Sequence, residues 1–129
     1  MNENQYWTEF WKQHGASTKD AHEQVQVLRT LNKNPLNQHL WDETLAYIDS
    51  VLLTEGSDVL LDLCCGNGLI SKHLAKTCEK VTSVDVSEDL VHNLKGYSNI
   101  ESIASDIRKV DFKKEQFSKV IIYAGIQYL

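Results

Sequence analysis

No stretch of this 129-residue sequence approaches the roughly 20 apolar residues that cross a bilayer; its longest apolar runs, such as "VIIYAGI", are a handful of residues. The N-terminus "MNENQYWTEF" has neither the basic region nor the apolar stretch of a secretory signal, so a cytoplasmic protein is expected. The three cysteines, Cys64, Cys65 and Cys78, form no CxxC pair. Adjacent residues of a strand point to opposite faces, which argues against a shared metal and for buried, reduced thiols. "HEQVQ" lacks the second histidine of a zinc protease helix, "GNGLISK" lacks the P-loop spacing, and no GxSxG elbow occurs. There is no internal repeat and no low-complexity segment. Lysine and arginine are scattered singly in a chain of formal net charge −5, so no basic face for nucleic acid is expected, and the acidity tilts the substrate toward a small molecule.

What is present is a pattern of elements. Tyr6, Trp7, Phe10 and Trp11 fall at helical spacing, so an N-terminal helix with one apolar stripe is expected, docked on the core or closing over a ligand. A second short helical segment follows the polar loop 15–20 and runs through Arg29. Asn34 and Pro35 resemble an N-cap and first helical residue, opening a helix whose Trp41, Leu45, Ile48 and Leu52 keep a helical period to about Leu53. Strands are expected at 59–64, at "KVTSVDV", at "IESIAS" and at "KVIIYAG". Between them lie a helix bearing Ile70, Leu74 and Cys78, a helix capped by Ser87 and ending near Gly96, and a mixed polar stretch. Strands alternating with helices predict an α/β fold, a parallel sheet joined by right-handed crossovers with helices on both faces. Ligands of such sheets bind at the carboxyl ends of the strands.

Three carboxylates sit at those ends. Gly66 and Gly68 form a GxG turn that lets a ligand approach the backbone. Asp62 ends the strand before that turn, and Asp85 ends the next strand, where its two acceptor oxygens suit the neighbouring hydroxyls of a ribose. Asp106 ends the third strand, where it could accept from an exocyclic adenine amine while the Ile107 amide meets a ring nitrogen; an Asx turn is the competing reading.

The segments "VLLDLCCGNG", "VTSVDVS", "IASDI" and "FSKVIIYAGIQYL" resemble the successive cofactor motifs of class I S-adenosylmethionine-dependent methyltransferases, over about residue 36 to the end. The resemblance implies a Rossmann-like sheet that binds S-adenosylmethionine and releases S-adenosylhomocysteine. It implies that Gly66, Asn67 and Gly68 line the cofactor, with Asp62 near its methionine amino group and Cys64 standing where the family usually has a third glycine. Asp85 would hold the ribose, Val86 would pack on adenine, Asp106 and Ile107 would read its edge, and Tyr123 would approach through its backbone. The leader "YWTEFW" is similar to an aromatic helix that closes over the cofactor, making Tyr6 and Trp11 contacts, and Arg29 a partner for the methionine carboxylate.

The family's strand order is 3-2-1-4-5-7-6, so the resemblance implies a fold truncated after its fourth strand, in the order 3-2-1-4. The expected organisation is an N-terminal helical lid over residues 1–35 and a partial cofactor-binding domain over 36–129. The chain is then expected to bind cofactor but to be catalytically incomplete, with no catalytic residue assigned, no metal, and self-association through the exposed fourth strand. Two alternatives stand beside it: a noncatalytic half-fold serving assembly, and a nicotinamide-binding Rossmann domain, against which Asp62 counts by placing a negative charge near the pyrophosphate position.

Overall fold

Hydrophobic β-branched and leucine runs in the second half of the chain build a sheet of four parallel strands. The computed structural model describes residues 2–129; Met1, the first residue of the expected lid segment, lies outside the described residues. The strands are β3 (Val59–Leu63), β4 (Lys80–Asp85), β5 (Ile100–Ala104) and β6 (Lys119–Ile122), in the spatial order β5-β4-β3-β6. This is the order 3-2-1-4 of an α/β Rossmann-like sheet. Register aligns Leu60 with Val81 and Lys119, and Asp62 with Ser83 and Ile121. One strand position further on the alternate face lie Leu61, Thr82 and Val120, the last 54% exposed on the edge strand.

The core forms on the first of these faces. Leu60 and Val81 are fully buried against Trp41 and Ile48 of α3 (Gln38–Leu52) and against Ile70 and Leu74 of α4 (Leu69–Leu74). Each fully buried leucine or valine contributes about 2 kcal/mol from desolvation. Cys78 joins this cluster, but from the loop after α4 rather than from a continued helix: the backbone tightens through Lys76 N to His73 O and Thr77 N to Leu74 O. After β4, Ser87 caps the one-turn helix α5 (Glu88–Val91), its hydroxyl accepting from Leu90 N at 3.3 Å; a 3-10 turn, His92–Leu94, follows and Gly96 turns the chain with φ +92°. The crossover from β5 to β6 carries only the 3-10 turn Ile107–Lys109 as helical structure among the described residues.

The N-terminal segment lies against this sheet. Helix α1 (Glu3–Ser17) begins with a reciprocal capping box in which Asn2 Oδ1 accepts from Gln5 N and Gln5 Oε1 accepts from Asn2 N. It packs on α5 at Gly15, where a Cβ would meet Ser87 Oγ at 2.2 Å. The second helical segment is one turn, α2 (Glu23–Gln26), and stops short of Arg29.

Asn34 and Pro35 correct the sequence reading. They do not open the long helix but form β2 (Asn34–Pro35), paired antiparallel with β1 (Thr30–Leu31). Asn32 and Lys33 between them both have positive φ, +51° and +65°, the geometry of a type I′ hairpin turn, and proline is tolerated on an edge strand. The true cap of α3 is Asn37, whose Oδ1 accepts from His39 N at 2.8 Å. No helix among the described residues is long and apolar enough to cross a membrane.

Candidate functional site at the carboxyl ends of the strands

The turn after β3 is held by its neighbours before any ligand is considered. Cys65 N donates to Val84 O at 3.0 Å, Gly68 N to Cys65 O at 3.0 Å, and Gly66 N to Asp85 Oδ2 at 2.9 Å. Asp85 Oδ1 accepts from Ser87 N at 2.9 Å, so this one carboxylate ties the glycine turn to the start of α5 and keeps lone pairs for a further donor. Cys64 adopts the left-handed conformation, φ +56°, that a glycine would hold freely; for a residue with a Cβ this costs roughly 1–2 kcal/mol.

Above the turn lies a cavity of about 260 Å³. Of the residues singled out in the sequence, Asp62, Cys64, Gly66 and Asn67 line it from the first strand and its turn, and Asp85 and Val86 from the second. Asp106, Ile107 and Tyr123 line it from the later strand ends, and Trp11 and Arg29 from the N-terminal segment. Two do not. Gly68 faces away and begins α4 with φ +80°, where a Cβ would strike Leu94 Cδ2 at 2.1 Å. Tyr6 points outward, 53% exposed, touching Trp7 edge-on.

The charges in this space are unusual. Asp62 is 2% exposed, and burial pushes its carboxyl up to about 7, with nearby Asp85 adding to the effect; the 2.6 Å bond from Ser71 Oγ and the Arg29 charge oppose it. Burial also raises Asp85, against the pull of the Ser87 and Gly66 amides. Asp106 is held down to about 2, chiefly by the Arg108 side chain, whose Nε donates at 2.8 Å while the Arg108 backbone N donates at 2.9 Å. The Asx turn and the pocket-lining position therefore coexist in one residue. Arg29 stacks 4.8 Å over the Tyr123 ring and donates to Val27 O at 3.2 Å; no carboxylate lies within salt-bridge distance of it among the described residues.

Asn67, 1% exposed, donates from Nδ2 to Glu23 O and Gln26 Oε1 at 2.7 and 2.9 Å, yet its Oδ1 has no donor. Surplus acceptors at Asp62, Asp85 and Asn67 beside a guanidinium fit a ligand that brings hydroxyls, an amine and a carboxylate. An amino-acid nucleoside such as S-adenosylmethionine carries all three. No group of three or more His, Cys, Asp or Glu side chains able to hold a metal occurs among the described residues.

Trp7, from the expected aromatic stripe, and Tyr128 also line the cavity; Val27 does so too and was not singled out in the sequence. Tyr128 sits with its ring 4.7 Å from Trp7 and 5.4 Å from Trp11. The four-residue spacing of Trp7 and Trp11 puts both on the one helix face that the sequence marks as apolar.

A family model described as methyltransferase domain matches residues 60–129 of the chain. The chain is 35% identical over 69 residues to "Probable ribosomal RNA small subunit methyltransferase A" of Methanococcus aeolicus, covering 50% of this chain and 26% of that protein. It is 28% identical over 88 residues to "Ribosomal RNA small subunit methyltransferase A" of Mycoplasma mycoides, covering 63% of this chain and 33% of that protein. The chain thus spans about a third or less of these relatives' length. Its fold superimposes over its whole length on 28% of a phosphoethanolamine N-methyltransferase of Haemonchus contortus, with a TM-score of 0.81 and 19% identity. These findings correct the expected partner: the tilt toward a small-molecule acceptor was drawn from net charge and the lack of a basic face, whereas the curated relatives are named for ribosomal RNA. Net charge averages over a whole surface and does not report the field at one cleft. With its family-model match over more than half its length, the chain belongs to the class I S-adenosylmethionine-dependent methyltransferases, with S-adenosylmethionine as cofactor.

Proposed function

We propose that this chain supplies the S-adenosylmethionine site of an enzyme that methylates RNA. The RNA acceptor rests on the names of the curated relatives. When bound, the cofactor would supply an electrophilic methyl group on a sulfonium; an acceptor lone pair would bond to that carbon as its bond to sulfur breaks, with S-adenosylhomocysteine as the leaving group.

The single observation that carries the cofactor placement is Asp85. It is a half-buried carboxylate that closes its strand, already braces the glycine turn, and faces the cavity with unused acceptor capacity. In this reading Asp85 accepts from the two ribose hydroxyls and Val86 packs on the adenine. Asp106 and the Ile107 amide meet the adenine edge, with Asp106 keeping Arg108 as its second partner. Asp62 and the orphaned Asn67 Oδ1 receive the methionine ammonium, Arg29 receives the carboxylate, and Cys64, Gly66 and Tyr123 pack close to the chain between. Trp11, with Trp7, closes the N-terminal side, which gives residues 1–35 the role of a lid on the 36–129 unit.

Calorimetric titration with S-adenosylhomocysteine tests this. Asp85→Ala removes both the ribose contact and the Gly66 brace, so affinity should fall at least about thirtyfold, as for loss of a charged hydrogen-bond partner. Equal affinities would remove the placement. Ultraviolet cross-linking of a radiolabelled small-subunit ribosomal RNA transcript tests the acceptor; labelling no stronger than with an unrelated acidic protein would reject RNA.

A further inference from the structure

Gly125 has φ −117° and ψ −21°, a conformation open to any residue, so its lack of a side chain must answer to space rather than to backbone. The space is filled by Cys64. A Cβ built on Gly125 would lie 2.4 Å from Cys64 Cβ and 3.0 Å from its Sγ. Cys64 for its part accepts a left-handed backbone to bring its side chain there. Gly125 then opens the 3-10 turn Ile126–Tyr128, with Tyr128 N donating to Gly125 O at 3.1 Å. Tyr128 at the end of that turn rests on Trp7 and Trp11. One line of contact therefore runs from the glycine turn through Cys64 and Gly125 to the aromatic wall of the cavity.

We propose that Cys64 is a positioning residue: its side chain, seated against Gly125, fixes the turn that carries Gln127 and Tyr128 and so sets that wall of the cavity. The thiol acts as an uncharged wedge. Burial first, and the neighbouring carboxylates of Asp85, Asp62 and Asp106 next, push it up to about 12, so it is no nucleophile at neutral pH. The inference rests on the methyl-transfer reading only in taking this wall to border the acceptor; the contact pair itself does not depend on it.

The test is a set of paired substitutions read by near-ultraviolet circular dichroism, which reports the Trp7–Trp11–Tyr128 cluster, and by S-adenosylhomocysteine titration. Gly125→Ala should lose most of the aromatic dichroism band and bind about tenfold more weakly, because overpacking displaces the turn. Cys64→Gly with Gly125→Ala should restore the band, and bring affinity to within about threefold of Cys64→Gly alone. Cys64→Ala with Gly125→Ala should not restore either, because the Cβ at 2.4 Å remains. Rescue by Cys64→Ala as good as by Cys64→Gly, or no rescue by Cys64→Gly, overturns the proposal. If Gly125→Ala fails to fold, recovery of a folded protein in the Cys64→Gly double variant supports it and continued failure overturns it. If the wild type itself binds no S-adenosylhomocysteine, the cofactor placement fails while the dichroism pattern still decides the pairing.

Discussion

Asp62→Asn should flatten the pH dependence of stability in the ligand-free protein. Asn keeps an acceptor for the Ser71 hydroxyl, now 2.6 Å from the carboxylate, and removes only the ionisation. The Asp62 carboxyl is raised by burial to about 7 in the folded chain, against about 3.9 in the unfolded one. A group raised in this way lends its full stability below the unfolded value, and that contribution drains away as pH rises toward the folded value. A shift of about 3 units corresponds to about 4 kcal/mol over the whole range, and about 2 kcal/mol of it falls between about pH 5.5 and pH 8.5. Asp85 is shifted in the same direction but is present in both proteins, so the difference between wild type and variant isolates Asp62. Urea denaturation at these two pH values, with the slope of the transition held in common, should show the wild type losing about 2 kcal/mol more than the variant. Parallel pH profiles would refute the reasoning, because they would mean that water or Arg29 already stabilises the ionised form. Saturating S-adenosylhomocysteine should shrink the difference, since an ammonium beside Asp62 favours its ionised state.

Gly68→Ala places a Cβ 2.1 Å from Leu94 Cδ2 on a backbone with φ +80°; strain and overpacking together should cost about 2–4 kcal/mol, read as a lower thermal midpoint, and a cost under about 0.5 kcal/mol would show that Leu94 simply swings aside. Asn37→Ala should cost about 1 kcal/mol by uncapping α3, whereas Asn34→Ala, in the hairpin, should cost less; chemical denaturation of the two variants distinguishes the observed helix start from the one expected at Pro35.

The parallel sheet was legible because apolar-rich strands alternate with helical segments, and an acidic residue at or near the end of three of its four strands put Asp62, Asp85 and Asp106 at one rim. The glycine turn was legible for the same reason, although its two glycines do different work: Gly66 lines the cavity while Gly68 makes room for Leu94. The hairpin at 30–35 was not legible, because its turn is made of Asn32 and Lys33 in left-handed conformations rather than of the usual Asn-Gly pair. Tertiary pairing overrode the local preference of Asn34-Pro35 for a helix start. The contact that joins the aromatic wall was not legible for another reason: Trp7 and Tyr128 come from opposite ends of the chain, and no periodicity within one segment records a contact of that range. Net charge misled on the acceptor because it averages over the whole surface and carries no information on the field at one cleft, whereas the curated relatives are named for ribosomal RNA.

Val27 rests on the bare face of Gly66, so that a methyl there would come within 2.6 Å of Val27 Cγ1, and Asn67 next to it is bonded to Glu23 and Gln26. The leading segment and the glycine turn are therefore cast in one mould. An excision at residue 36, where the family resemblance begins, would strip Asn67 of both its partners and bare the turn to solvent. Grafting this sheet into another scaffold would have to carry residues 22–29 along with it.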